Sequence, residues 1–266
     1  MTKRAVVMGA TSGIGMHTAL LLAKKGWQVA IAGRREDRLA MVKKLSHDDA
    51  TPTDGNNADG IVCSKRIDVT SADAPALLGE LIDALGGMDL YFHSSGIGWQ
   101  NDALDAEKEL KTIDTNAAGF VRMVDAAFNW FASHNAVGRI ACITSIAGTK
   151  GLGAAPAYSA TKRFQNHYLE CLAQLARMRH LPIKITDIRP GFVRTALIEG
   201  SSYPLQLDAG SVAAHIVRAI EQGKEVKTID WRYAALVCLW RLIPRCLWTR
   251  MKITKQGNKA ETLCQQ

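Results

Sequence analysis

Tyr158 and Lys162 stand four residues apart in Tyr158-Ser159-Ala160-Thr161-Lys162, so on a helix they share one face. A phenol beside an ammonium is a proton donor whose anion the neighbouring charge stabilises, drawing its pKa down from about 10. Ser145 lies upstream, at the end of an apolar run that closes in Ile143-Thr144-Ser145. A hydroxyl at a strand end can hold a carbonyl oxygen while the tyrosine protonates it. This is a carbonyl-reduction site in outline. Taken alone, the pair reads equally as an exposed Tyr–Lys pair on a solvated helix, so the surrounding elements must decide.

Those elements begin with a strand-length apolar run at 4–8, followed at once by Gly9-Ala10-Thr11-Ser12-Gly13-Ile14-Gly15 and an apolar helical pattern to Gly26. Strand, glycine turn and helix in that order let a pyrophosphate approach backbone N–H groups at a positively polarised helix start. The spacing is G-x-x-x-G-x-G, and a purely structural turn is the alternative. The second strand, 28–32, ends in Gly33-Arg34-Arg35, where a dinucleotide fold meets the adenosine ribose. An acid there would accept the 2′-hydroxyl of NAD. Two arginines suit a 2′-phosphate instead, which points to NADP(H). Surface arginines opening a helix are the bland alternative.

Further along, a helix is expected to about Leu45 and a polar surface loop over 46–60, which lacks the spacing of a calcium loop. A strand over 61–67 closes on Asp68-Val69, and a helix covers 73–85. The fourth strand, 89–93, leads into Ser94-Ser95-Gly96, and a long helical region over 104–134 carries Asn116. A fifth strand spans 138–145, the helix of Tyr158 and Lys162 spans 157–178, and a sixth strand over 183–188 leads to Pro190-Gly191. Alternation of this kind requires a parallel sheet covered on both faces. The fold class is therefore α/β, a single-domain Rossmann-type doubly wound parallel sheet over 1–266, with no repeat and no linker.

Bulk properties exclude other classes. The 266 residues are 47% hydrophobic and 22% charged, as in ordinary globular proteins. Six cysteines show no zinc spacing and no disulfide framework, so reduced thiols in a cytoplasmic protein and no metal are expected. The first strand starts within a few residues of Met1, which leaves no room for a signal peptide. The net charge of +8 is concentrated in 231–266, where seven basic residues face only Glu261. No nucleic-acid motif accompanies it.

With these residues in place, the chain resembles the short-chain dehydrogenase/reductase family, in its classical branch, over about residues 4 to 195. Gly9, Gly13 and Gly15 match the family's cofactor loop, with Thr11, Ser12 and Ile14 between them. Asp68, next to Val69, matches the acid that meets the adenine amino group, and Ser95-Gly96 follows the fourth strand. Asn116, Ser145, Tyr158 and Lys162 match the catalytic tetrad, and Pro190, Gly191, Val193 and Thr195 match the segment that holds the nicotinamide carboxamide. The resemblance implies hydride transfer between the nicotinamide of NADP(H) and a carbonyl carbon, with Tyr158 as proton donor and Ser145 orienting the oxygen. It implies that Lys162 lowers the tyrosine pKa and meets the nicotinamide ribose, and that Asn116 holds a water linking Lys162 to solvent. In reverse the tyrosinate is the base. A homo-oligomer paired through the long helices is implied as well. Two departures stand out: Met8 replaces the usual threonine before the first glycine, and His93-Ser94-Ser95-Gly96 replaces Asn-Asn-Ala-Gly. In the family these places hydrogen-bond across neighbouring strands, so a local repacking around a packed His93 is expected here.

Beyond Thr195 the resemblance fades. Residues 196–222 are expected to form a lid region, with a mobile lid over 196–207 and a helix over 211–222, before a short strand over 226–229. The basic, apolar-aromatic extension over 231–266 contains an eight-residue apolar run from Tyr233 to Trp240, far below the ~20 residues of a spanning helix. Trp and Arg interleaved with Leu over 231–250 suit peripheral contact with an anionic membrane. Packing on the lid or on a neighbouring subunit is the alternative. The expected function is an NADP(H)-dependent oxidoreductase interconverting a ketone and a secondary alcohol. Its expected substrate is a hydrophobic or lipid-like carbonyl, such as a 3-keto lipid (3-ketosphinganine, for one) or a steroid. A soluble dehydrogenase of a small alcohol and a non-catalytic NADP(H)-binding scaffold are the alternatives.

Overall fold

The computed structural model describes residues 2–48, 60–194 and 205–251. Seven parallel strands form the main sheet: β1 (Arg4–Met8), β2 (Gln28–Gly33), β3 (Ile61–Arg66), β4 (Leu90–His93), β5 (Gly138–Ile143), β6 (Ile183–Pro190) and β9 (Val226–Ile229). Their order is β3-β2-β1-β4-β5-β6-β9, so the winding reverses between β1 and β4 and opens a crevice beyond their carboxyl ends. A two-residue parallel pair, β7 (Val193–Arg194) with β8 (Leu207–Asp208), lies apart from it.

Both faces of the sheet are buried, and alternate residues of a strand supply different cores. Ala5 and Val7 of β1 join Leu22 of α1 (Gly13–Lys24) and Ile216 of α7 (Ala209–Glu221) on one face. Val6 and Met8 join Leu78 of α3 (Ala74–Leu85), Phe128 of α5 (Phe120–Ser133) and Leu169 of α6 (Pro156–Met178) on the other.

Two expectations change in detail. The helix after β2, α2 (Glu36–Asp48), runs past Leu45. The reason is Ser46, whose hydroxyl donates to the Lys43 carbonyl at 2.7 Å and accepts the Ile61 N–H at 3.3 Å, fastening the helix end to β3. Residues 49–59 of the expected loop lie outside the described residues. The long helical region is three pieces: α4 (Ala106–Ile113), a wider π-helical turn over Asp114–Gly119, and α5. Asn116 sits in that turn.

The C-terminal segment forms α8 (Trp231–Leu242) and the short α9 (Arg245–Trp248). Its inner side belongs to the fold: Tyr233 and Val237 are buried in the same core as α1 and α7. Three hydrogen bonds tie it to the chain after β5: Trp240 Nε1 to Thr149 Oγ1 at 2.9 Å, Trp248 Nε1 to the Gly151 carbonyl at 2.7 Å, and Lys150 Nζ to the Ile243 carbonyl at 2.7 Å. No helix among the described residues is long and apolar enough to cross a membrane. Most of the expected lid falls outside the described residues.

Candidate active site

The glycine loop leaves β1 at Gly9, whose φ of +85° is strained for any residue with a side chain. A Cβ there would also stand 2.6 Å from the Ser95 nitrogen. The loop and the Ser95 backbone thus close on each other and leave a cleft beside them. Gly9, Thr11, Arg34, Arg35, Asp68, Val69 and Ser95, all anticipated from sequence, line this cleft of about 270 Å³, together with Gly33, Ile67 and Thr115. Ser12 stands in extended conformation just before α1, and Gly13, Ile14 and Gly15 open the helix, with backbone N–H groups unpaired within it.

Arg35 donates to Thr11 Oγ1 at 2.7 Å and to Ser12 Oγ at 2.9 Å, which brings its guanidinium over the glycine loop. Burial, then the like charges of Arg38 and Arg34, hold its pKa below the usual arginine value. A cation crowded by cations is a site prepared for an anion. Burial pushes the Asp68 carboxyl up, but hydrogen bonds from the Thr70 N–H (3.0 Å) and hydroxyl (2.8 Å), with the charges of Arg34 and Arg66, bring it below the ordinary value. It stays an acceptor at the far wall. A glycine cradle against a helix start, an arginine held over it and an acceptor carboxylate fit a dinucleotide cofactor.

Ser145, Tyr158, Lys162 and Asn116 come together at the carboxyl ends of β4 and β5. Ser145 follows β5 and begins a single 3₁₀ turn over Ile146–Thr149, its Oγ accepting the Ala147 N–H at 3.0 Å. That contact leaves its O–H free to donate, and Ser145 is close enough to the Tyr158 phenol to draw the phenol's pKa down. Tyr158 lies in the first turn of α6, which Glu109 of α4 anchors by accepting the Ala157 N–H at 2.8 Å. Gly98 packs flat on the Tyr158 ring: a Cβ there would be 2.3 Å from Cδ2. Lys162 is buried, with Nζ donating to the Ile143 carbonyl at 3.1 Å and to Gln165 Oε1 at 3.0 Å.

The electrostatics differ from the expectation that Lys162 lowers the tyrosine pKa. Burial pushes the Tyr158 phenol above its usual value, and among the described residues it is Ser145 that opposes it. Lys162 Nζ lies 5.7 Å from the ring centroid, over the face of the ring. Burial lowers Lys162 itself to about 8, against the opposing charges of Cys142 and Asp187. Desolvation therefore outweighs the pairwise terms at both residues.

Asn116 is held by protein partners on several sides. Its side chain grips Ile97, accepting the N–H at 2.9 Å and donating to the carbonyl at 2.7 Å, and reaches Thr161 Oγ1 at 3.2 Å. Its backbone carbonyl accepts from Gln165 Nε2 at 2.8 Å. Gly96 leaves room beside both groups, since a Cβ there would lie 3.3 Å from Asn116 Oδ1 and 3.5 Å from Lys162 Nζ.

Pro190 ends β6, Val193 is buried in β7, and the Gly191 N–H donates to the Ile229 carbonyl at 3.0 Å. The Tyr233 ring lies so close to Gly191 that a Cβ would stand 2.2 Å from Cε2. Thr195 is outside the described residues. At the departures from the family pattern, Met8 and His93 face each other in register. Met8 joins the apolar core, while His93 Nδ1 pairs with the Tyr91 hydroxyl at 2.9 Å and its ring meets Phe120 edge-on. Burial lowers His93 to about 3, so it is a neutral packed residue.

Gln165, Glu109, Gly98 and Tyr233 were not singled out from sequence. Gln165 alone carried a local signal, being a polar residue three places after Lys162 on the same helix face. The others reach the site across tertiary contacts.

The family model described as short chain dehydrogenase matches residues 3–203. An uncharacterized oxidoreductase of Listeria monocytogenes is 31% identical over 198 residues, 73% of this chain and 75% of that protein. One of Myxococcus xanthus is 29% identical over 251 residues, 92% and 94% of the two chains. Among solved structures, an actinorhodin polyketide ketoreductase variant with NADPH aligns at a TM-score of 0.73 and 24% identity, covering 86% of this chain and 95% of its own. A short-chain type dehydrogenase/reductase from Mycobacterium marinum aligns at 0.74 and 23%, covering 87% and 95%. At these identities the structural likeness speaks to the fold.

Proposed function

The chain belongs to the short chain dehydrogenase family, and from that premise we propose that it is an NADP(H)-dependent reductase converting a hydrophobic ketone to a secondary alcohol. The observation that carries this reading is the Tyr158 phenol beside Ser145 with the Lys162 ammonium 5.7 Å from its ring centroid, in surroundings whose burial keeps the phenol protonated. Such a phenol is protonated at neutral pH and ready to act as an acid.

When bound, the nicotinamide supplies the hydride. Ser145, with its lone pair engaged by the Ala147 N–H, turns its O–H toward the substrate oxygen and stabilises the charge that develops there. Tyr158 gives that oxygen its proton, so the carbonyl carbon gains hydride and the oxygen gains H⁺. The tyrosinate left behind is steadied by the Lys162 ammonium and takes its proton back from solvent. Asn116 clamps Ile97 and so fixes the wall facing Lys162. Oxidation would run through the same groups in reverse, with the tyrosinate as the base. Arg34 and Arg35 are the reason for choosing NADP(H), with Asp68 at the adenine end. Gly191, Pro190, Val193 and Thr195 are assigned to the nicotinamide side by the family resemblance.

The same proposal places the protein in the cytoplasm, pairs it with a second copy through the exposed Leu110, Ile113 and Phe164 of α4 and α6, and gives segment 231–250 a membrane contact. A substrate of the 3-keto lipid or steroid class suits such a contact. The test is a ketone panel, long-chain 3-keto lipids included, followed by oxidation of NADPH and, separately, NADH. Tyr158→Phe is expected to lose about 10²- to 10⁴-fold in turnover, as removal of a general acid does, while NADPH affinity is kept. A folded Tyr158→Phe protein with near wild-type turnover on a true substrate would refute the assignment.

A further inference from the structure

We propose that Gln165 is a positioning residue for Lys162: its amide fixes the ammonium and ties it to the backbone of Asn116. The proposal rests on the reading of Lys162 as the partner of Tyr158.

Gln165 is completely buried, and a buried amide without partners is costly. Its two ends meet groups of opposite kind. Oε1 accepts from Lys162 Nζ at 3.0 Å, and Nε2 donates to the Asn116 carbonyl at 2.8 Å. Only one orientation of the amide satisfies both, because an ammonium cannot accept and a carbonyl cannot donate. The bridge is therefore a directed one.

Its effect on Lys162 follows from counting donors. An ammonium has three N–H bonds. Two are taken by the Ile143 carbonyl and Gln165, which leaves one for the side where Gly96 keeps space open. A flexible four-carbon chain is thereby held with one donor aimed into the site. The amide between Lys162 and Asn116 has no proton to hand on at neutral pH, so the bridge itself serves to hold Lys162 as a fixed charge. Hydrogen bonding to the charged form of a lysine favours that form, so Gln165 also opposes the desolvation that pulls Lys162 down. The other titratable groups acting on it are Cys142 of β5, Asp187 of β6 and His93 of β4, and Tyr158 lies one helical turn away.

The experiment is an NMR titration of cofactor-free protein labelled with carbon-13 at lysine Cε, the Lys162 signal being identified by its loss in Lys162→Met. Gln165→Leu should lower the midpoint by about one pH unit, and Gln165→Glu should raise it, because the first removes an acceptor and the second supplies a charged one. Circular dichroism establishes that each variant is folded. If Gln165→Leu does not fold, Gln165→Glu decides the matter alone. A folded variant with an unchanged Lys162 midpoint overturns the proposal. The alkaline limb of kcat/KM for NADPH should move with the midpoint. If the midpoint moves and the limb does not, Gln165 holds Lys162 as proposed and the assigned role of Lys162 in the reaction fails.

Discussion

Lys162 is charged at neutral pH in a place that disfavours charge. Its pKa is lowered from 10.5 to about 8, first by burial. A base whose folded pKa is depressed binds fewer protons folded than unfolded between those two values. Stability therefore rises with pH across that window, and the charged form is carried at a cost below it. The cost is roughly 3 kcal/mol at neutral pH, taking about 1.4 kcal/mol per unit. Urea unfolding of wild type and Lys162→Met between pH 8 and 10.5 should show the wild type gaining on the variant as pH rises, while the variant loses turnover at every pH. A constant difference across the window would mean that the lysine is not strained by burial. Reactive residues held against their solvation preference are the usual place where stability is surrendered for function. Tyr158 is different, because burial there favours the protonated form that reduction uses.

At the level of elements, α8 decides how the end of β6, proposed as the nicotinamide side of the site, is held. Its Tyr233 ring closes on Gly191 so tightly that only glycine fits, and the Tyr233 hydroxyl donates to the Leu205 carbonyl at 3.0 Å. One buried side chain thus joins the end of β6, the chain leading into β8 and the C-terminal helix. Tyr233→Ala should destabilise the protein by about 3–5 kcal/mol, as loss of a large buried aromatic does, and weaken NADPH binding in the protein that remains folded. Tyr233→Phe, which keeps the ring, should lose only about 1 kcal/mol. Chemical denaturation with NADPH titration measures both, and equal effects of the two variants would discount the packing argument. Three hydrogen bonds join the same helix pair to residues 149–151, which lie between Ser145 and Tyr158 in the chain.

For the whole molecule, the outer side of the same helices sets the surface character. Trp231 (76% exposed), Leu239 (65%) and Leu242 (76%) face outward, with Arg241 and Arg245 alongside. Nearby, a groove of about 1020 Å³ is lined by Lys150, Arg163, Arg245 and Trp248, with no acidic residue among the described residues of its lining. Apolar side chains beside unopposed positive charge complement an anionic lipid surface. Cutting the chain before Trp231 would test this poorly, because it removes Tyr233 and Val237 from the core. Leu239→Ser with Leu242→Ser leaves the core intact. Wild-type protein is expected to sediment with phosphatidylglycerol vesicles and not with phosphatidylcholine, and the doubly substituted protein to stay in the supernatant. Recovery of both proteins in the supernatant would remove membrane contact from the proposal, and sedimentation velocity would then ask whether a second copy covers this face.

Local chemistry is why so much was readable from the chain alone. A parallel sheet follows from strand and helix patterns that alternate, because each period of two or 3.6 residues is written in neighbouring side chains. The glycine loop, the arginines after β2 and the Tyr158–Lys162 spacing are likewise short-range, and they pointed to the fold and to one end of the sheet. The pKa of Tyr158 was not readable, because spacing gives the neighbour while burial, which outweighs it, is supplied by residues such as Gly98, far away in sequence. The same holds for the Gln165 bridge, which needs the Asn116 turn brought from α4 and α5 to α6, and for α8, whose inner face is buried although its composition reads as a surface segment. Residue type and spacing determined which groups this protein has for chemistry. Desolvation and the partner at the third side of each group, both products of packing between distant elements, decided how those groups are charged and held.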